Sequence, residues 1–173
     1  MDYLPRTLDR ELDELLPIAS AIALDGPKGV GKTDTAQRRS DAQWFMDDPA
    51  QRDIAAADFA FASVPPGTLL IDEWQKLPPV WDAVRRQVDA GAPPGRFLLT
   101  GSATPVDRAG THSGAGRILS LRMRPMALCE RGIPSTTVSL STLLAGAAGT
   151  IEGISSLMLS DYSDHIVGGG FPG

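Results

Sequence analysis

The eight residues Gly26-Pro27-Lys28-Gly29-Val30-Gly31-Lys32-Thr33 fit the spacing G-x-x-x-x-G-K-[ST], a pattern whose parts suit the holding of phosphate. Its glycines let the backbone adopt conformations that bring N–H groups against phosphate oxygens. Lys32 supplies a charge that reaches the β- and γ-phosphates, and Thr33 a hydroxyl oxygen for Mg²⁺. A helix opening at Lys32 aims its positive end at the same anion. With glycine at about 7% of residues, the fixed positions coincide by chance in roughly one chain in a hundred or fewer. A dinucleotide fingerprint starting at Gly29-Val30-Gly31 fails, because Asp34 stands where the third glycine belongs. Lys28 lies outside the required pattern. It reads either as added charge near phosphate or as a solvated loop lysine.

About forty residues on, Leu69-Leu70-Ile71-Asp72-Glu73 forms an apolar run delivering two acids. In parallel α/β sheets ligands bind where strands end. Asp72 is therefore the candidate for holding Mg²⁺ through water, and Glu73 the candidate general base for the water that attacks a γ-phosphate. Taken alone, the pair would read as ordinary turn acids. The run Phe97-Leu98-Leu99 ends in Thr100-Gly101-Ser102, so Thr100 and Ser102 both qualify to sense the γ-phosphate and align the water. No [NT]-K-x-D segment exists to select guanine, which favours ATP over GTP. One cysteine and two histidines, His112 and His165, give no zinc grouping. There is no G-x-S-x-G serine elbow.

These side chains need a sheet to carry them. Ala21 to Asp25 reads as a buried strand leading into the glycine-rich loop, with a helix over Lys32 to Arg39 after it. Further strands are expected at Gln43 to Met46, Thr68 to Asp72, Arg96 to Ser102 and Arg117 to Met123. Helices are expected before the core, with Thr7 as N-cap and Leu8, Leu12, Leu15 and Leu16 at helical spacing, then at Gln51 to Ala62 and at Val80 to Ala90. Asp47 and Asp48 read as capping or turn residues. Strands alternating with helices predict an α/β fold with a mostly parallel five-stranded sheet flanked by helices, and the glycine-rich motif after the first strand makes the expectation a three-layer P-loop NTPase. Residues 1–135 are expected to form the ATPase core. Residues 136–173, rich in Ser, Thr, Gly and Ala, read as a short helical lid-like or linker segment, with Ser139 and Ser160 as N-caps.

The chain has 173 residues and a net charge of −5, room for one α/β domain with a real core. That acidity gives no support to nucleic-acid binding across the whole surface. The cluster Arg117, Arg122, Arg124 and Arg131 is the one place to look for it, against the plainer reading of solvated strand charges. Of three lysines, Lys28, Lys32 and Lys76, two fall inside the glycine-rich loop. Cys129 has no intramolecular partner, which points to a reducing, cytoplasmic setting, and its apolar neighbours suggest a buried or half-buried thiol. No run approaches the ~20 apolar residues of a membrane span.

Together with Tyr3-Leu4-Pro5-Arg6, the segments Leu70-Ile71-Asp72-Glu73-Trp74-Gln75, Leu98-Leu99-Thr100-Gly101-Ser102, Thr111 to Ile118, Leu121 to Met126, Glu130-Arg131-Gly132 and Gly170-Phe171-Pro172-Gly173 complete a family pattern. The chain resembles a prokaryotic AAA-type ATPase family, ATP-binding proteins that carry a C-terminal domain of unknown function. The resemblance spans nearly the whole chain. It implies an additional-strand P-loop fold, ATP and Mg²⁺ as ligands, and Glu73 as catalytic glutamate. It also implies that the family's second domain would follow the last residues and is missing here. An arginine finger reaching a neighbouring subunit's nucleotide would come from Arg117, Arg122 or Arg124, and Arg6 could approach from the N-terminal segment. For each, a surface or structural ion pair is the plainer role. Two other readings stand beside ATP hydrolysis. One is a nucleotide-binding regulatory module without turnover. The other is a small-molecule P-loop kinase, disfavoured by the Asp72-Glu73 tandem.

Overall fold

The computed structural model describes residues 3–102, 115–132, 138, 140–146, 151, 152 and 157–172. Its elements are α1 (Thr7–Leu15), β1 (Ala21–Asp25), α2 (Lys32–Gln37), β2 (Ala42–Phe45), α3 (Pro49–Ala57), β3 (Leu69–Asp72), α4 (Pro79–Asp89), β4 (Phe97–Gly101), β5 (Leu119–Arg122), α5 (Leu140–Leu144) and α6 (Leu159–Gly168). Every residue of β1, β3 and β4 is buried. Strands covered on both faces belong in the middle of a parallel sheet. The observed order is β2-β3-β4-β1-β5, and all four pairings are parallel.

Strand alternation sorts the core into two layers. Ile22, Leu24, Leu70 and Leu98 pack with Leu12 of α1 and Ala36 of α2. Ala21, Ala23, Leu69, Ile71, Phe97 and Leu99 pack with Ala55 of α3 and with Val80, Trp81 and Val84 of α4. The result is a three-layer α/β sandwich, as the alternation of strands and helices predicts. Each fully buried large apolar side chain contributes about 1.5–3 kcal/mol, which fixes the sheet that carries the polar strand ends.

Several local expectations are corrected. The helix expected to reach Ala62 stops at Ala57, because the Asp58 carboxylate accepts from the N–H groups of Ala62 and Ser63 and turns the chain. Asp48 caps this helix by accepting from Ala50 N, and Pro49 follows at its first position. In α1 the cap is Arg6, not Thr7, and its N–H donates to Asp9 at 2.6 Å. Met158 precedes α6 instead of Ser160. Cys129 is exposed, not half-buried: it lies in a short 3-10 turn, Leu128–Glu130, whose Leu128 also faces solvent. The expected cap Ser139 and the histidine His112 lie outside the described residues. Among the described residues no helix is long and apolar enough to cross a membrane.

Candidate functional site

Parallel strands send their C-terminal ends to one edge of the sheet, so Asp25, Asp72 and Gly101 emerge together. The loop after β1 needs its glycines. A Cβ on Gly26 would stand 2.4 Å from the Met123 carbonyl oxygen, and Gly31 adopts φ 98° where α2 begins. Val30 anchors the loop in the core.

Lys32 is buried, and its Nζ donates to the carbonyl oxygens of Gly26 and Pro27 at 2.9 Å each. Burial lowers its pKa from the usual lysine value, and the charges of Glu73, Asp72 and Asp25 partly offset this. Thr33 Oγ1 donates to Asp72 Oδ1 at 2.8 Å. The buried Thr100 hydroxyl donates to the same oxygen. That commitment separates the two β4 candidates: Thr100 orients Asp72, while Ser102 is exposed at the edge. Glu73 follows in a left-handed conformation, φ 53°. Its Oε2 accepts from Gln75 Nε2, which lies 3.3 Å from Ser102 Oγ. Lys32, Thr33, Asp72, Glu73 and Ser102 thus gather around the loop. Lys28 is exposed on its outer side, beside Pro27 and Gly29. Thr33 and Asp72 present a hydroxyl and a carboxylate oxygen side by side, hard donors of the type Mg²⁺ takes, with water and phosphate supplying the rest. No group of three or more metal-ligating side chains exists among the described residues.

Two cavities flank the loop. One, of about 890 Å³, lies beside Gly31 and is lined by Tyr3, Asp34, Arg38, Phe171 and Pro172 among others. Arg38 stacks on the Tyr3 ring at 4.0 Å, and the Tyr3 hydroxyl reaches Asp9 and Thr35. The other, of about 600 Å³, is lined by Asp25, Gly26, Pro27, Ser102, Arg122, Met123, Arg124 and Pro125. Tyr3, Phe171 and Pro172 lie in segments carried by the family resemblance, but nothing in their spacing marked them as lining residues.

Arg6 lines the larger cavity and is also committed to the backbone around the loop. Its Nη1 donates to the Val30 carbonyl and its Nη2 to the Arg124 carbonyl, both at 2.6 Å. Its Nε lies 3.4 Å from Glu130 and is not hydrogen-bonded. The guanidinium ties the N-terminal segment, the loop and the chain after β5 into one unit. Arg6→Ala leaves the buried Val30 carbonyl and the part-buried Arg124 carbonyl without these donors and is expected to lower unfolding free energy in urea by about 3 kcal/mol. A loss below about 1 kcal/mol would reduce Arg6 to a surface ion pair. Among the finger candidates, Arg117 pairs with Asp89, and Arg122 and Arg124 are exposed beside the smaller cavity.

Asp25 sits next to Arg122 in sheet register, and its Oδ1 is buried without a hydrogen-bond partner. Burial pushes its pKa up to about 6, against the pull of Arg122 and then Lys32. Between about pH 4 and 6 the folded chain keeps a proton that the unfolded chain has released. Stability therefore falls as pH rises through that window, and the full cost of the buried charge is present above it. Asp25→Asn is expected to flatten this slope and to raise stability at pH 7.5 by about 1–2 kcal/mol, allowing for screening at the cavity mouth. Thermal melts from pH 4 to 8 check this. An unchanged slope would remove Asp25 as its source.

Residues 19–131 match the family model described as "AAA domain". The chain is 31% identical over 120 residues to uncharacterized proteins of Mycobacterium tuberculosis and Mycobacterium bovis, covering 66% of this chain. It spans only 27% of the length of those relatives. A Walker-type ATPase of Pyrococcus abyssi aligns with a TM-score of 0.44 at 15% identity, over 75% of this chain and 56% of that one. With a parallel sheet in the order β2-β3-β4-β1-β5, a phosphate-type loop after β1, and a family match over most of its length, the chain belongs to the AAA-domain family of ATP-binding P-loop proteins.

Proposed function

We propose that the chain binds ATP with Mg²⁺ and hydrolyses the β–γ phosphoanhydride, as a module coupled to a further part of a longer protein. The observation that carries this reading is the 2.8 Å contact between Thr33 Oγ1 and Asp72 Oδ1, with Glu73 next in the chain. A phosphate loop, a metal-type oxygen pair and a base thereby share one edge of the sheet.

The backbone N–H groups of residues 26 to 33 take the phosphates, and the Lys32 ammonium exchanges its carbonyl partners for phosphate oxygens. Thr33 and Asp72 would hold Mg²⁺, which neutralises charge on the β- and γ-phosphates. Glu73 accepts a proton from water as the water oxygen bonds to the γ-phosphorus. The bond to the β–γ bridging oxygen breaks, and ADP leaves with the electron pair. Ser102 meets the γ-phosphate from the end of β4. The nucleoside end occupies the larger cavity, between Tyr3 and the Phe171-Pro172 segment, which suits an aromatic base. Residues 136–173 act as a lid or linker, with His165, Phe171 and Pro172 lining that cavity, and a homo-oligomer would let an exposed arginine serve a neighbouring site. The lone, exposed cysteine fits a reducing, cytoplasmic setting.

Steady-state phosphate release from ATP with Mg²⁺ tests the reading: release dependent on Glu73 supports it, and release unaffected by Glu73→Gln sinks it. A second reading, nucleotide binding without turnover in these 173 residues, is favoured by the 27% share of the relatives' length. Bound ATP with no release would select it. Transfer of phosphate to a small acceptor in preference to water would select a kinase instead.

A further inference from the structure

Trp74 and Gln75 follow Glu73 in a 3-10 turn, Trp74–Lys76, that folds against the end of β4. The approach is close. A Cβ on Gly101 would stand 2.6 Å from Trp74 Nε1 and 2.8 Å from Gln75 Oε1. Burial of Trp74 has an apolar reason, since its ring packs on Trp81 at 4.7 Å, although its Nε1 is buried without a hydrogen-bond partner. Gln75 has no apolar reason. Its Oε1 is buried with no hydrogen-bond partner, an arrangement that carries a free-energy cost and that a leucine would avoid. What the glutamine gains is on its other side. Its Nε2 donates to Glu73 Oε2 and lies within hydrogen-bond reach of Ser102 Oγ. An amide NH₂ has two hydrogens and serves both acceptors at once.

We propose that Gln75 is the positioning residue that orients the Glu73 carboxylate and ties it to Ser102. This rests on the reading of Glu73 as base. With Oε2 held by the amide, Oε1 is the oxygen turned to the attacking water. The same amide links that orientation to Ser102, so a shift of Ser102 on meeting the γ-phosphate is passed to the base. A base held by a third group is a recurrent requirement of such chemistry, and small misplacements cost rate more than binding.

The test is phosphate release and ATP KM for Gln75→Met, Gln75→Glu, Glu73→Gln and the double variant Glu73→Gln/Gln75→Met. Both Gln75 variants keep the length of the side chain and lose its donors. We expect kcat to fall roughly 10- to 100-fold with KM within about threefold of wild type. In the Glu73→Gln background, Gln75→Met should cost nothing further, because Gln75 acts through Glu73. Wild-type kcat in either Gln75 variant overturns the proposal while leaving Glu73 as base. So does a further loss in the double variant, or a KM that rises in step with the fall in kcat, since either marks a purely structural role. If Glu73→Gln itself turns over at the wild-type rate, the base assignment fails and this inference with it. Should Gln75→Met not fold, Gln75→Glu carries the comparison.

Discussion

Lys32→Ala is expected to lower ATP affinity at least ~100-fold, a loss of about 2.7 kcal/mol, measured by calorimetric titration with Mg²⁺ present. Two effects add. The variant loses a buried cation at the loop, and it loses the Nζ contacts to the Gly26 and Pro27 carbonyls that hold the loop's curve. The fold itself should survive. The Lys32 ammonium is disfavoured by burial, so its removal relieves a desolvation cost that offsets the lost hydrogen bonds. Unchanged affinity in a folded variant would remove residues 26 to 33 as the phosphate site.

Glu73→Gln is expected to leave ATP KM within about threefold and to cut kcat by roughly 10²- to 10⁴-fold, the usual worth of a positioned general base. The substitution preserves shape, so Thr33 and Asp72 stay in contact and binding persists. The left-handed backbone at residue 73 is tolerated equally by Gln. Binding and turnover should therefore separate in this variant, whereas in Lys32→Ala they fall together. A Glu73→Gln protein that loses ATP binding as well would mean that the carboxylate belongs to the phosphate pocket and not to the water.

The loop and the acid pair were legible from sequence because phosphate and metal binding restrict residue type at short, fixed spacing. In the proposed phosphate site Gly26, Gly31, Lys32 and Thr33 would each have a role that few other residues perform, and the apolar runs before Gly26 and before Asp72 announce their strands. Sheet order was not legible, since it depends on which strand lies beside which, and no local pattern encodes that. Arg6 shows the limit most clearly. Its partners, Val30 and Arg124, offer backbone carbonyls, and a carbonyl leaves no mark in a sequence. Thr100 and Ser102 both qualified from sequence, with Ser102 taken as the catalytic candidate, and geometry gives Thr100 to Asp72. Gln75 was written in the same segment as Glu73, yet its role depends on Gly101 lying close enough to receive it. Cys129 misled because apolar neighbours in sequence do not bury a residue placed in an outward-facing turn.

The three-way tie made by Arg6 also sets an order of events during synthesis. Residues 26 to 33 leave the ribosome early, but the carbonyl of residue 124 emerges almost a hundred residues later, and β5, the neighbour of β1, only just before it. Contacts so far apart in the chain close late in folding. A nascent chain halted between β4 and β5 would thus carry every letter of the phosphate motif and still lack its Arg6–Arg124 clasp. Stalled and completed chains should differ in nucleotide retention, although the motif in both is the same.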